Sequence, residues 1–139
     1  MIYTTYFSKL KDLPSNIIPI AICGKSPDWY RGLEYKKLAP KYSFFKVWKE
    51  THDNEFYIKC FEEQVLNNLN VLDVVTDLYS MISDPSIQQY LYMVNCPPWA
   101  NDRYHIALVC YEKPDNFCHR HLVAEWFNKH HIQCEEYKW

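Results

Sequence analysis

Apolar residues fall along this chain in two rhythms, short unbroken runs and a four-residue spacing, and the two predict different elements. Residues 2–7 are β-branched and aromatic and predict a first strand. Residues 8–13 read as a connector of about one helical turn, stopped by Pro14. Residues 17–23 form an apolar run that predicts a second strand, although Pro19 removes a ladder donor from it. Continuous rather than alternating apolarity points to burial on both faces, as in a parallel sheet.

Three helical stretches follow, at 38–51, 54–69 and 71–82. Pro40 falls in the opening turn of the first, where a missing amide costs little. Tyr57, Phe61, Val65 and Leu69 recur every four residues and mark one face of the second. Leu72, Val75, Leu78, Tyr79 and Ile82 are the apolar set of the third, which Asp84 and Pro85 end. Residues 87–94 fit a helix or a short strand, and Cys96-Pro97-Pro98-Trp99 reads as a turn or an extended lid-like segment. Residues 105–111 make the clearest strand, residues 113–116 a turn, and residues 118–129 a helix whose Leu122, Val123, Trp126 and Phe127 face the core. Residues 132–137 predict a short edge strand. The order β-β, three helices, β-α-β implies an α/β domain with a small, mostly parallel sheet and helices packed on it, Rossmann-like and three-layered.

Composition narrows the setting. The 139 residues suit a single domain spanning 1–139, and 48% hydrophobic with 17% aromatic residues suffices for a sizeable core. Twelve Tyr and five Trp are too many to bury, so some line a pocket or the surface. A net charge of -2 does not indicate a nucleic-acid partner. No apolar run approaches the roughly 18 residues of a membrane span, and no signal peptide precedes the first strand, so a cytoplasmic protein without membrane contact is expected. Six Cys in such a chain are expected as free thiols. The two glycines, Gly24 and Gly32, bracket one loop and mark it as geometrically special.

The candidate chemistry collects around the clearest strand. Ligands of open α/β sheets bind beyond the carboxyl ends of the strands. Cys110 and Glu112 lie at that end, and Cys118, His119 and Arg120 open the following helix. A helix start favours anions and thiolates. Cys118 is therefore the candidate nucleophile or redox centre, with His119 and Glu112 as proton carriers. Arg120 is the candidate anion grip, beside Cys110 on the strand. His121, His130 and His131 read as a solvated face. The glycine-bracketed loop offers Lys25, Ser26, Trp29, Tyr30 and Arg31 as cation, hydroxyl and stacking groups for the same ligand. It lacks the P-loop pattern, and no motif indicates a cofactor. Zinc held by Cys110, Cys118 and His119, with Cys23 as a further ligand, is the rival chemistry. The wide gap between the two Cys and the absence of CxxC argue against it, and no metal is expected. A Cys110–Cys118 disulfide is geometrically conceivable, but the cytosolic setting argues against a permanent one.

Two stretches carry a resemblance. Ala107-Leu108-Val109-Cys110-Tyr111-Glu112-Lys113-Pro114 followed by Cys118-His119-Arg120-His121-Leu122 resembles the C-terminal signature of the domain-of-unknown-function 488 family. Trp29, Tyr30, Gly32, Leu38, Ala39 and Pro40 resemble one branch of it. The chain departs from the broader pattern in having Tyr6-Phe7-Ser8 in place of Gly-His-Ser, and Cys23-Gly24-Lys25 in place of Asp-Val-Arg. The resemblance implies an α/β domain and a site position, and leaves the reaction open. The expected function is an enzyme acting on a small anionic or nucleotide-like substrate. The alternatives are a non-catalytic nucleotide or modified-base binding module and a protein-interaction domain.

Overall fold

The computed structural model describes residues 1–84, 89 and 104–139. Five parallel strands form one sheet in the order β3-β2-β4-β1-β5, with β1 at Ile2–Tyr6, β2 at Ile17–Ala21, β3 at Leu33–Glu34, β4 at His105–Cys110 and β5 at Cys134–Glu136. The apolar run of β4 takes the centre, and Ile106 through Cys110 are buried on both faces. That is the environment an unbroken apolar run requires. Tyr6 lies opposite Cys110, and Ala21 opposite Val109, so three strands end at one level.

Pro19 is accommodated by its position in the ladder. The Ile22 amide donates to Val109 of β4 at 3.0 Å. Alternation along the strand then turns the Pro19 nitrogen away from β4, toward a side where β3 has not begun, since Leu33 pairs only with Ile20.

The helices are shorter than the apolar spacing predicts. A 3-10 turn at Lys36–Leu38 precedes α1 at Tyr42–Thr51, and Pro40 lies between them. Proline disfavours helical backbone in the residue before it, and Ala39 is extended. Likewise α2 spans Asn54–Gln64 and passes into a 3-10 turn at Leu66–Asn68. Tyr57, Phe61 and Val65 are buried as their spacing predicts. In α3, Val71–Ser83, the buried face is Val74, Leu78 and Ile82, while Leu72 is exposed. The last helix, α4, is His119–Lys129, with Val123, Trp126 and Phe127 buried and Leu122 partly so. The readings of 87–94 and of Cys96–Trp99 lie outside the described residues.

Asn70 caps α3, its Oδ1 accepting from the amides of Leu72 at 3.0 Å and Asp73 at 3.1 Å. Asn70→Ala is expected to lower stability by about 1 kcal/mol in chemical denaturation. Phe61 has a larger share, because its ring meets Phe44, Tyr57 and the imidazole of His119 within the core. Phe61→Ala is expected to cost about 3–5 kcal/mol by the same measurement. Among the described residues no helix is long and apolar enough to cross a membrane.

Candidate functional site

Topology selects the location. The chain leaves β2 toward β3 at one edge, and leaves β4 through α4 toward β5 at the other. Neighbouring strands whose exits diverge open a crevice at their carboxyl ends. Cys23 and Gly24 follow β2 at that crevice, and Cys110 ends β4 beside it.

The strand–turn–helix unit brings Cys110, Cys118 and His119 together. The Asn116 amide closes the turn on the Lys113 carbonyl at 3.0 Å, and Cys118 stands at the N-cap of α4 in extended backbone. One sulfur from each Cys and a ring nitrogen of His119 all lie within 4.8 Å of one another. Cys110 Sγ is 3.6 Å from His119 Nδ1. His119 Nε2 is 2.8 Å from the Ile22 carbonyl, which only accepts, so Nε2 carries the proton. The ring is thereby fixed, with Nδ1 turned toward the sulfurs. It accepts from a thiol when neutral and donates to a thiolate when charged.

The neighbouring Cys110 thiol, His119 and the Arg120 amide hold the Cys118 thiol well below its usual range, while burial opposes them. Cys110 moves well above that range, because the neighbouring Cys118 sulfur and burial both disfavour its thiolate. Burial also raises Cys23, and it pushes Cys134 up to about 12. Five described cysteines are free thiols, and four of them, Cys23, Cys110, Cys118 and Cys134, are buried.

Arg120 is not available to a ligand in this arrangement, which corrects the expected anion grip. It is fully buried. Its Nε and Nη2 donate to the two carboxylate oxygens of Glu136, each at 3.0 Å, and its Nη1 donates to the Glu112 carbonyl. The guanidinium lies over the Tyr6 ring at 5.7 Å, and Thr4 Oγ1 donates to Glu136 Oε1 at 2.6 Å. Arg120 therefore ties the start of α4 to β5 and to the β4–α4 turn. It positions Cys118 and His119.

A hollow of about 630 Å³ opens at the crevice, lined by Cys23, Gly24, Lys25 and Lys36 on one side and by Cys110, Tyr111 and His119 on the other. Tyr42, Phe45, Ala39 and Pro40 complete it. A second hollow of about 360 Å³ shares Phe45, Cys110, Tyr111 and His119, and adds Cys118, Glu112, Trp48, Lys49, Tyr57 and Phe117. Cys110 and His119 thus stand where the two meet, and Cys118 lines the smaller. Lys36 is committed to Glu34 at 2.8 Å and the Gly24 carbonyl at 2.7 Å. Lys25 and Lys49 are the other cations of the walls.

The loop residues divide. Lys25 lines the larger hollow, and its carbonyl accepts from the Tyr111 hydroxyl. Ser26, Trp29 and Tyr30 do not line either hollow. Ser26 bonds Glu34 Oε2 at 3.1 Å. Trp29 is 60% exposed, with its ring edge on Phe7. Tyr30 donates to the Leu33 carbonyl at 2.6 Å. Gly32 is required by space, since a side chain there would run into the Tyr30 ring and hydroxyl, whereas Gly24 faces open space. Glu112 borders the smaller hollow with its side chain exposed, and its backbone carbonyl accepts from Arg120. His121 is half-buried rather than solvated, while His130 and His131 are exposed.

Sequence reasoning missed Tyr111, Phe45, Tyr42 and Lys49 as wall residues. Tyr111 had a signal, being the residue between the Cys and Glu of the strand end. The others lie on α1, whose angle to the sheet no local pattern encodes. Comparisons with protein-family models, with curated proteins and with solved structures found no match to this chain.

Proposed function

We propose that this chain is an enzyme that transfers a group from a small anionic, nucleotide-like substrate through Cys118. One observation carries the reading: two thiol sulfurs and a histidine nitrogen lie within 4.8 Å of one another beside two hollows with cationic and aromatic walls, the smaller of which Cys118 lines. The Cys118 sulfur attacks an electrophilic centre of the substrate, and a sulfur–substrate bond replaces the bond to the leaving group. His119 Nδ1 takes the thiol proton and gives it to the leaving group; it then takes a proton from water, whose oxygen displaces the sulfur and carries the group away, and returns that proton to Cys118. Its Nε2 stays on the Ile22 carbonyl, so His119 moves protons only on the sulfur side. Lys25 and Lys49 attract the anion in place of Arg120. Tyr111 and Phe45 line both hollows and supply aromatic wall for a base. The resemblance of Cys110, Glu112 and Cys118-His119-Arg120 to the domain-of-unknown-function 488 signature supports the position of the site. It contributes nothing to the choice of reaction.

Charge preference at Cys118 tests the reading. Iodoacetate and iodoacetamide alkylate the same sulfur but differ by one negative charge. The rate ratio of iodoacetate to iodoacetamide at Cys118 is expected to exceed the ratio for a free thiol several-fold. Lys25→Ala should bring it back toward that value, and added salt should weaken it. A ratio equal to that of a free thiol would exclude an anion-selective site.

A further inference from the structure

We infer that Cys110 Sγ, Cys118 Sγ and His119 Nδ1 form a binding site for one thiophilic divalent cation of the Zn²⁺ class, with its fourth position open to the hollow. The inference rests on the proposed site only in sharing its side chains. A bound cation would occupy the Cys118 sulfur and shut off its thiol chemistry, so metal uptake would regulate that reaction.

Four observations carry it. Two sulfurs and one imidazole nitrogen are a ligand set that suits Zn²⁺, and they lie within 4.8 Å of one another. The 3.6 Å separation of Cys110 Sγ and His119 Nδ1 already matches two ligands of one tetrahedral ion, given bonds of about 2.0–2.3 Å. The spacing objection raised by the sequence does not hold, because the turn after β4 folds the intervening residues back on themselves. The imidazole is also prepared in the way ligating histidines are. Its Nε2–H is held by the Ile22 carbonyl at 2.8 Å, which fixes the tautomer that leaves Nδ1 free to coordinate.

The fourth ligand is not supplied by the chain. Cys23 lines the same hollow, but its sulfur lies outside the trio and meets Ser26 Oγ at 3.7 Å. Three protein ligands with an open position is the arrangement of a reactive rather than a closed structural site. On binding, each ligating thiol gives up its proton to solvent, and the cation takes its place.

The experiment uses the reduced, metal-stripped full chain, titrated with Zn²⁺ against a chromogenic chelator and separately with Co²⁺ as a spectroscopic probe. One equivalent of Zn²⁺ is expected to be retained, and Co²⁺ should show thiolate charge-transfer and tetrahedral ligand-field bands. Cys110→Ser, Cys118→Ser and His119→Gln should each lose more than the roughly 10–100-fold in affinity that outer-shell changes cost. Cys23→Ser and Cys60→Ser should keep full affinity. Zn²⁺ should also protect Cys110 and Cys118 from iodoacetamide, as read by mass mapping on the unmodified sequence, which needs no variant to fold. Retention of less than one equivalent, or equal retention by Cys118→Ser, would overturn the site. Loss of uptake in Cys23→Ser would overturn the open position. Absent uptake combined with fast labelling of Cys118 overturns the metal site and leaves the thiol reading intact. Full uptake combined with slow, uniform labelling of the metal-free chain supports the metal site and removes the nucleophile.

Discussion

Arg120→Ala is expected to lower folding stability by about 3–5 kcal/mol, a large share of what a domain of this size has. The reason is the company the guanidinium keeps. It is fully buried, and its three nitrogens serve both oxygens of Glu136 and the Glu112 carbonyl. Truncation leaves a partly buried carboxylate, an unpaired carbonyl and a cavity at the start of α4. Arg120→Lys keeps the charge and loses the planar fork, so its cost should be smaller but still clear. Denaturant midpoints at constant slope read both. A loss under about 1 kcal/mol for Arg120→Ala would mean that the guanidinium is free to serve a ligand instead.

Removal of Cys118 is expected to give the largest chemical effect. Cys118→Ser should abolish the fast alkylation phase of the metal-free chain, since the Cys23, Cys110 and Cys134 thiols are all held above the usual range. Cys110→Ala removes a neighbour that holds the Cys118 thiol below its usual range, and should slow labelling of Cys118 about tenfold. Pre-steady alkylation followed by mass spectrometry measures both. Unchanged rates in Cys110→Ala would show that the pair of sulfurs acts independently.

Much of this fold was legible because its strongest signals are local. The unbroken apolar run of β4 announced a strand buried on both faces, and it sits at the centre of a parallel sheet. Cys118-His119-Arg120 was readable as a helix start beside the end of that strand, and Cys110, Cys118 and His119 do meet. What failed depended on distant contacts. Arg120 stands in sequence where an anion ligand would, but Glu136, sixteen residues on, claims it through β5. Trp29 and Tyr30 carried the right chemistry for stacking, yet Phe7, from the end of β1, draws them toward itself. Helix lengths were overread where proline and 3-10 turns interrupt a continuing apolar spacing, as at Pro40 and Leu66–Asn68.

The proposed reaction requires one cysteine to be reactive for reasons other than exposure. Cys60 is half-buried on α2 and is the most accessible of the described thiols, whereas Cys118 is buried and its neighbours hold it below the usual thiol range. The decisive measurement is to treat the reduced, metal-free chain with less than one equivalent of iodoacetamide near neutral pH, and to map the label. The label is predicted to collect on Cys118, with Cys23, Cys110 and Cys134 nearly untouched. Label that appears first on Cys60 or Cys96, with Cys118 no faster than its neighbours, would contradict the site.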